Sequence, residues 1–174
     1  MSAPVSDSVM AVYNSAMLTR LISCLAIVVL VSGCRSREVE KDLAITDVHT
    51  GWYDAGIVGG QNKLVPSISL KLHNVSPEVI SRVQINAVFR RLGEDKEWDA
   101  HFVRGIGPDG LAPGARGDEL VLRSERGYLG PQSRLQMLQN KEFVDAKVEI
   151  FGKHGSRFWV KLGEFTIDRQ LLTE

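Results

Sequence analysis

The sequence predicts an all-β domain, an antiparallel immunoglobulin-like β-sandwich of seven or eight strands with one short helix. From residue 43 onward apolar and polar residues alternate at period two, the repeat that sets one face of a strand on a core. No long stretch has the period of a helix. Clusters of Gly, Pro, Asn and Asp break the alternation about every 8 to 12 residues, as sandwich turns do. A lipocalin-like barrel is the other architecture this pattern allows.

Leu43 and Ile45 open a first strand that ends near Trp52-Tyr53, and the Gly-rich run Asp54–Lys63 reads as a connection. Ile68, Leu70 and Leu72 share one face of a second strand, which Asn74-Val75-Ser76-Pro77 turns. Val79, Val83, Ile85, Ala87 and Phe89 align in a third. After the polar Gly93–Lys96 turn, Trp98, Ala100 and Phe102 are in phase on a fourth, making a hairpin. A long turn through Gly105–Gly110 and Leu111–Gly114 leads to a strand carrying Leu120 and Leu122. Gly127-Tyr128-Leu129-Gly130-Pro131 reads as a loop. Ser133–Asn140 is the one short helix, with Leu135 and Leu138 on one side. Phe143–Phe151 and Arg157–Leu162 form a second hairpin around Gly152–Ser156, and Phe165 and Ile167 mark a last strand.

The two cysteines, Cys24 and Cys34, both precede this region, so the domain holds no disulfide, thiolate metal site or cysteine nucleophile. The 21 basic residues balance 21 acidic ones. That balance argues against nucleic acid, whose binding needs an excess of Lys and Arg.

Arg20 is followed by an apolar run from Leu21 to Val31, and then by Ser32-Gly33-Cys34. A cation, a short apolar stretch and small residues before a cut describe a secretory signal peptide over residues 1–33. The run is too short for the roughly 20 residues that cross a bilayer. Residues 1–16 fit the scheme poorly, which places the start of translation at Met17 or Met10 and makes the rest an upstream extension. Val31-Ser32-Gly33-Cys34 resembles the lipobox of bacterial lipoproteins. The resemblance implies lipidation of the Cys34 sulfur, cleavage before Cys34 and usually fatty acylation, such as by palmitate, of the new amine. Two or three acyl chains make a stable anchor where one is marginal. Residues 34–42 then form the lipidated cysteine and a charged tether, and 43–172 the sandwich. Eight tether residues reach at most about 28 Å. Arg35, in place of Asp after the cysteine, resembles the sorting pattern of outer-membrane lipoproteins and implies a periplasm-facing domain.

Leu70-Lys71-Leu72-His73-Asn74-Val75-Ser76, the strand to Phe89 and Gly93, and Leu111-Ala112-Pro113-Gly114 together resemble the FxLYD-type sandwich modules of bacterial lipoproteins. The likeness spans roughly residues 64–124, and departs from the pattern where Arg90-Arg91 follow Phe89. It implies a sandwich without known chemistry.

Gly105-Ile106-Gly107-Pro108-Asp109-Gly110 matches GxGxxG in form, but Pro108 and Pro113 oppose the helix a dinucleotide site needs. His49, His73, His101 and His154 lack metal-ligand spacing, and His73 and His101 fall on polar strand positions. His154 and Ser156 share a Gly-rich turn without a third group to orient the imidazole. Glu94 and Asp95 belong to a mixed-charge turn. These readings leave no catalytic residue, metal ligand or cofactor. Trp52, Trp98 and Trp159 could line a ligand groove, but large aromatics in alternating strands are expected in the core. Tyr128 and Leu129 put apolar side chains in a loop, which serves either as a plug for one end of the sandwich or as a binding surface. The expected function is a membrane-anchored envelope lipoprotein acting as a non-enzymatic protein-binding or assembly module. The rival is a periplasmic small-molecule or lipid carrier with a hollow barrel.

Overall fold

The computed structural model describes residues 38–172. The signal segment, the lipobox and Cys34 lie outside the described residues. The elements in order are α1 (Val39–Asp42), β1 (Leu43–Val58), β2 (Gln61–Asn74), β3 (Val83–Arg91), β4 (Glu97–Ile106), β5 (Leu120–Arg123), β6 (Tyr128–Gly130), α2 (Arg134–Gln139), β7 (Ala146–His154), β8 (Val160–Thr166) and β9 (Leu171–Leu172). They build two sheets, one ordered β5-β2-β1-β9 with β6 also on β2, the other β4-β3-β7-β8. Every pairing is antiparallel except β1 with β9. The fold is the all-β sandwich expected from the alternation, with two short edge pieces, β6 and β9, added.

Alternation decides what lies inside. Leu64, Ile68, Leu70 and Leu72 occupy even positions of β2 and are buried, as are Ile85, Ala87 and Phe89 on β3 and Val148 and Ile150 on β7. They meet between the sheets with Trp52, Leu122 and Ile167. Each such large side chain stabilises the fold by roughly 1.5–3 kcal/mol against leaving it in water.

Several elements depart from the expectation, each for a local reason. The Gly-rich run 54–63 is mostly strand: β1 continues to Val58 and turns at Gly59-Gly60, both with positive φ, into β2. Positive φ at both central residues is what a tight two-residue hairpin requires. A bulge between Asp54 and Ile57, where Gly56 has φ +84° and donates to Asp54 Oδ1 at 2.9 Å, breaks the alternation.

On β4 the register slips between Phe89↔Asp99 and Arg90↔Glu97, so Trp98 is the bulged residue. A one-residue shift reverses the faces of a strand. Asp99, His101 and Val103 therefore pair with the inward residues Phe89, Ala87 and Ile85, whereas Phe102 is 56% exposed. Trp98, Ala100 and Phe102 do not form one core face.

Val39–Asp42, expected as tether, forms a helical turn with Val39 buried in the core. Val79 lies outside β3 and is exposed, and Ile80 instead pairs with Leu111. The helix begins as expected, with Ser133 and Gln136 forming a capping box. Its buried face is Met137 and Leu138, and Leu135 points to solvent. β7 starts at Ala146 and runs through His154; the C-terminal strand is Leu171–Leu172, alongside Trp52-Tyr53 of β1.

Candidate functional site

Two ends of the sandwich differ in chemistry. At the near end the chain enters β1, Leu43 opposite Asn74 of β2. The far end lies beyond Trp52.

A four-ring cluster fills the far end. Trp52 is fully buried, with ring centroids of Phe143 at 4.6 Å, Tyr128 at 5.6 Å and Trp98 at 6.3 Å. Tyr128 closes the group, 4.7 Å from Phe143 and 5.1 Å from Trp98, and its hydroxyl donates to the Val144 carbonyl at 3.1 Å. Desolvation pushes the Tyr128 phenol above its ordinary range. The segment expected as a loop is β6, paired with Asn62–Leu64 of β2. A Cβ on Gly127 would stand 1.9 Å from the Leu64 carbonyl oxygen, so only glycine admits this approach. Of the two residues read as plug or binding surface, Tyr128 packs into this cluster, and Leu129 faces outward, half exposed. Ile57 and Val58 at the β1–β2 tip and Leu135 on α2 are exposed at the same end. The Arg134–Asp54 ion pair and the Asn62 Nδ2 to Gln132 carbonyl bond at 2.7 Å hold α2 and its approach against that hairpin.

The near end carries a surface the sequence reading missed. Phe102 on β4 and Trp159 before β8 meet edge to face at 5.9 Å on the outside of the second sheet. Lys153 Nζ lies 4.9 Å from the Trp159 ring centroid, a cation–π contact. The neighbouring Phe158 is 92% exposed. Trp159, expected in the core, is on the surface. Arg104, Gln84 and Lys153 are aligned across β4, β3 and β7, one row nearer the chain's entry than Phe102, Asn86 and Phe151. Arg82, Gln84, Arg104, Ile106, Gly107 and Pro108 line a shallow recess of about 270 Å³ beside them.

This end is held firmly. Arg82 adopts φ +56°, with its N–H bonded to Gly107 O at 3.0 Å and its carbonyl accepting from Gly155 N at 3.2 Å. Val39 packs over Gly152, where an added Cβ would stand 3.1 Å from its Cγ1.

The polar groups of the sandwich serve its seams. His101 Nδ1 lies 2.8 Å from the Arg123 carbonyl, and Asp99 Oδ2 accepts from Ser124 Oγ at 2.8 Å and Glu125 N at 2.6 Å, tying β4 to β5 across the two sheets. His101 is therefore part of a seam and not a solvated surface residue. Burial would raise the Asp99 carboxyl, but the Ser124 and backbone donors outweigh it and hold the group below its ordinary value. On the outer face, hydrogen bonds from Arg90 and Lys161 hold Glu149 at about 2. His154 ends β7 opposite Val83, and Ser156 lies in the exposed turn. Gly105, next to last in β4, is a packing glycine, the space of its missing Cβ taken by Ile85 and Leu72. Among the described residues no three His, Cys, Asp or Glu side chains are grouped to hold a metal ion. No described helix is long and apolar enough to cross a membrane.

No known protein family and no curated protein matches the chain. Solved structures do match. An Arabidopsis thaliana protein determined in solution is 13% identical with a TM-score of 0.43, over 76% of this chain and 83% of its own. A structural genomics target determined by X-ray crystallography is 10% identical with a TM-score of 0.42, over 75% and 89%. A Bordetella pertussis protein described as ApaA is 19% identical with a TM-score of 0.37, over 72% and 92%.

Proposed function

We propose that the chain is a lipid-anchored envelope lipoprotein whose sandwich acts as a non-enzymatic binding or assembly module for another envelope protein. The observation that carries this reading is the lipobox-like Val31-Ser32-Gly33-Cys34, which closes an apolar segment five positions before Val39, the first residue of the core. Acyl chains on Cys34 supply the membrane affinity, and Arg35 favours the outer membrane with the domain facing the periplasm. The protein-binding surface is the far end, where Ile57, Val58, Leu129 and Leu135 are exposed over the rigid aromatic plug. Apolar side chains presented by a rigid scaffold suit a protein partner. The rival, a carrier with a hollow barrel, is disfavoured by strands that divide into two sheets around a filled interior.

The test is expression of the full chain with a fatty-acid probe, followed by recovery of partners from solubilised membranes. Wild type takes the label and Cys34→Ser does not; equal labelling of the two defeats the anchor. Ile57→Ser with Leu129→Ser lowers partner recovery and leaves labelling intact. Recovery unchanged by this pair removes the far end as the docking surface.

A further inference from the structure

The near end of the sandwich has two properties that belong together: it is the end tied to the proposed anchor, and it is the end with exposed aromatic and basic side chains. From these we infer that the β7–β8 hairpin tip is a second membrane contact, in which Phe158 and Trp159 enter the lipid headgroup region and Lys153, Arg82 and Arg104 face anionic phosphates. The inference rests on the lipoprotein reading for its first premise and on the structure for the rest.

Distance comes first. Five positions separate Cys34 from Val39, a stretch of chain that spans at most about 18 Å when fully extended, at about 3.6 Å per residue. Val39 in turn sits on Gly152 and close to Leu162, at the base of the β7–β8 hairpin. The tip at residues 155–159 is thus held near whatever surface takes the lipid.

Side-chain chemistry follows. Phe158 is almost wholly exposed on a turn, where it contributes little to the core. Trp159 is held with its ring between Phe102 and the Lys153 ammonium. Tryptophan beside lysine is the pairing that suits the water–lipid boundary, with an apolar body below and a polar rim above. Each Lys or Arg near an anionic leaflet adds attraction that salt screens.

Charge then selects one side of the near end. The recess on the second sheet is lined by Arg82 and Arg104, with Asp109 next to Pro108 as the nearest carboxylate in sequence. The corresponding recess on the first sheet is lined by Asp47, Asp118 and Glu119 with His49, Lys71 and Gly117. An anionic surface attracts the former and repels the latter. The domain therefore leans on its second sheet.

The test uses the full acylated chain reconstituted in vesicles of phosphatidylethanolamine and phosphatidylglycerol, some made with brominated acyl chains that quench tryptophan on contact. Trp52 and Trp98 lie in the far-end cluster, so the quenching that disappears in Trp159→Phe reports the hairpin alone. The expected result is strong quenching of wild type, little in Trp159→Phe, and less in wild type when phosphatidylcholine replaces phosphatidylglycerol or when Lys153 and Arg104 become Gln. Phe158→Ser, at a site without packing, folds normally and reduces the quenching.

Flotation with the vesicles, without quenching specific to Trp159, overturns this inference and leaves the anchor standing. Failure to float overturns the anchor and the inference together. A dimer in detergent that Phe158→Ser splits, with no Trp159 quenching, assigns the patch to a second copy of the chain and overturns the lipid contact.

Discussion

Tyr128→Ala distinguishes a plug from a docking anchor, because the structure gives the residue enough contacts to put a magnitude on its loss. The ring meets Trp52, Trp98 and Phe143 within 5.6 Å, and the hydroxyl meets the Val144 carbonyl. Truncating a fully buried aromatic to alanine costs roughly 3–5 kcal/mol, and half burial brings this to about 2 kcal/mol. Losing the ring–ring geometry adds about 1 kcal/mol. At this domain size each kcal/mol moves the melting point by roughly 3–5 °C, so the expected fall is about 10 °C. Tyr128→Phe keeps the ring and loses one hydrogen bond, for about 0.5–1.5 kcal/mol. Leu129→Ser, on the outward face, stays within about 0.5 kcal/mol of wild type. Thermal denaturation followed by near-ultraviolet circular dichroism reads all three, since the aromatic cluster supplies the signal. Tyr128→Ala melting within about 2 °C of wild type would refute the plug and return the residue to the surface.

Val39→Ser lowers stability by about 1–3 kcal/mol in urea denaturation, because Val39 is buried against Gly152; an unchanged midpoint would return residues 39–42 to the tether. Gly127→Ala forces a Cβ against the Leu64 carbonyl and costs about 3 kcal/mol or more, seen as loss of amide protection across β6 and Asn62–Leu64. Glu149 ionises near 2 in the folded protein against an ordinary 4.5, so its contribution is fully present above 4.5 and is lost as pH falls from there through 2. Glu149→Gln removes that slope from a plot of stability against pH; a wild-type slope in the variant assigns the acid sensitivity to other carboxyls.

The fold was legible because every second residue of β2, β3 and β7 is buried, from Leu64 to Leu72, Ile85 to Phe89 and Val148 to Ile150. What escaped the reading lies where that rule stops. At Trp98 a bulge inverts the phase, so Phe102 reads as core but is exposed, and His101 reads as surface but is partly buried against the Arg123 carbonyl. The end of β1 from Ala55 to Val58 is largely exposed, and a strand exposed on both faces shows no alternation. β6 is three residues long and pairs with a partner far away in sequence, beyond the reach of any local pattern. The near-end aromatic patch did leave a signal. Phe158 and Trp159 are adjacent, successive residues of an extended chain point to opposite sides, and two large rings beside a hairpin turn cannot both enter one core. The far-end plug was legible only as one of two readings of Tyr128, and the Gly127 contact with Leu64 is what favours it.

The long first hairpin gives the molecule an arm. β1 has 16 residues but is bulged after Thr46 and after Asp54, so the 14 residues of β2 run beside it, and at about 3.3 Å per step the Ile57-Val58 tip lies roughly 43 Å from the point where the chain enters. A hairpin of this length magnifies any tilt of its base: about 10° at Leu43 becomes roughly 7.5 Å at Ile57. Were the proposed lipid anchor the sole support, that tilt would be unrestrained. Two points of support reduce it to swinging about a line, so a pair of aromatic residues at the base would decide how widely the far end can search for its partner.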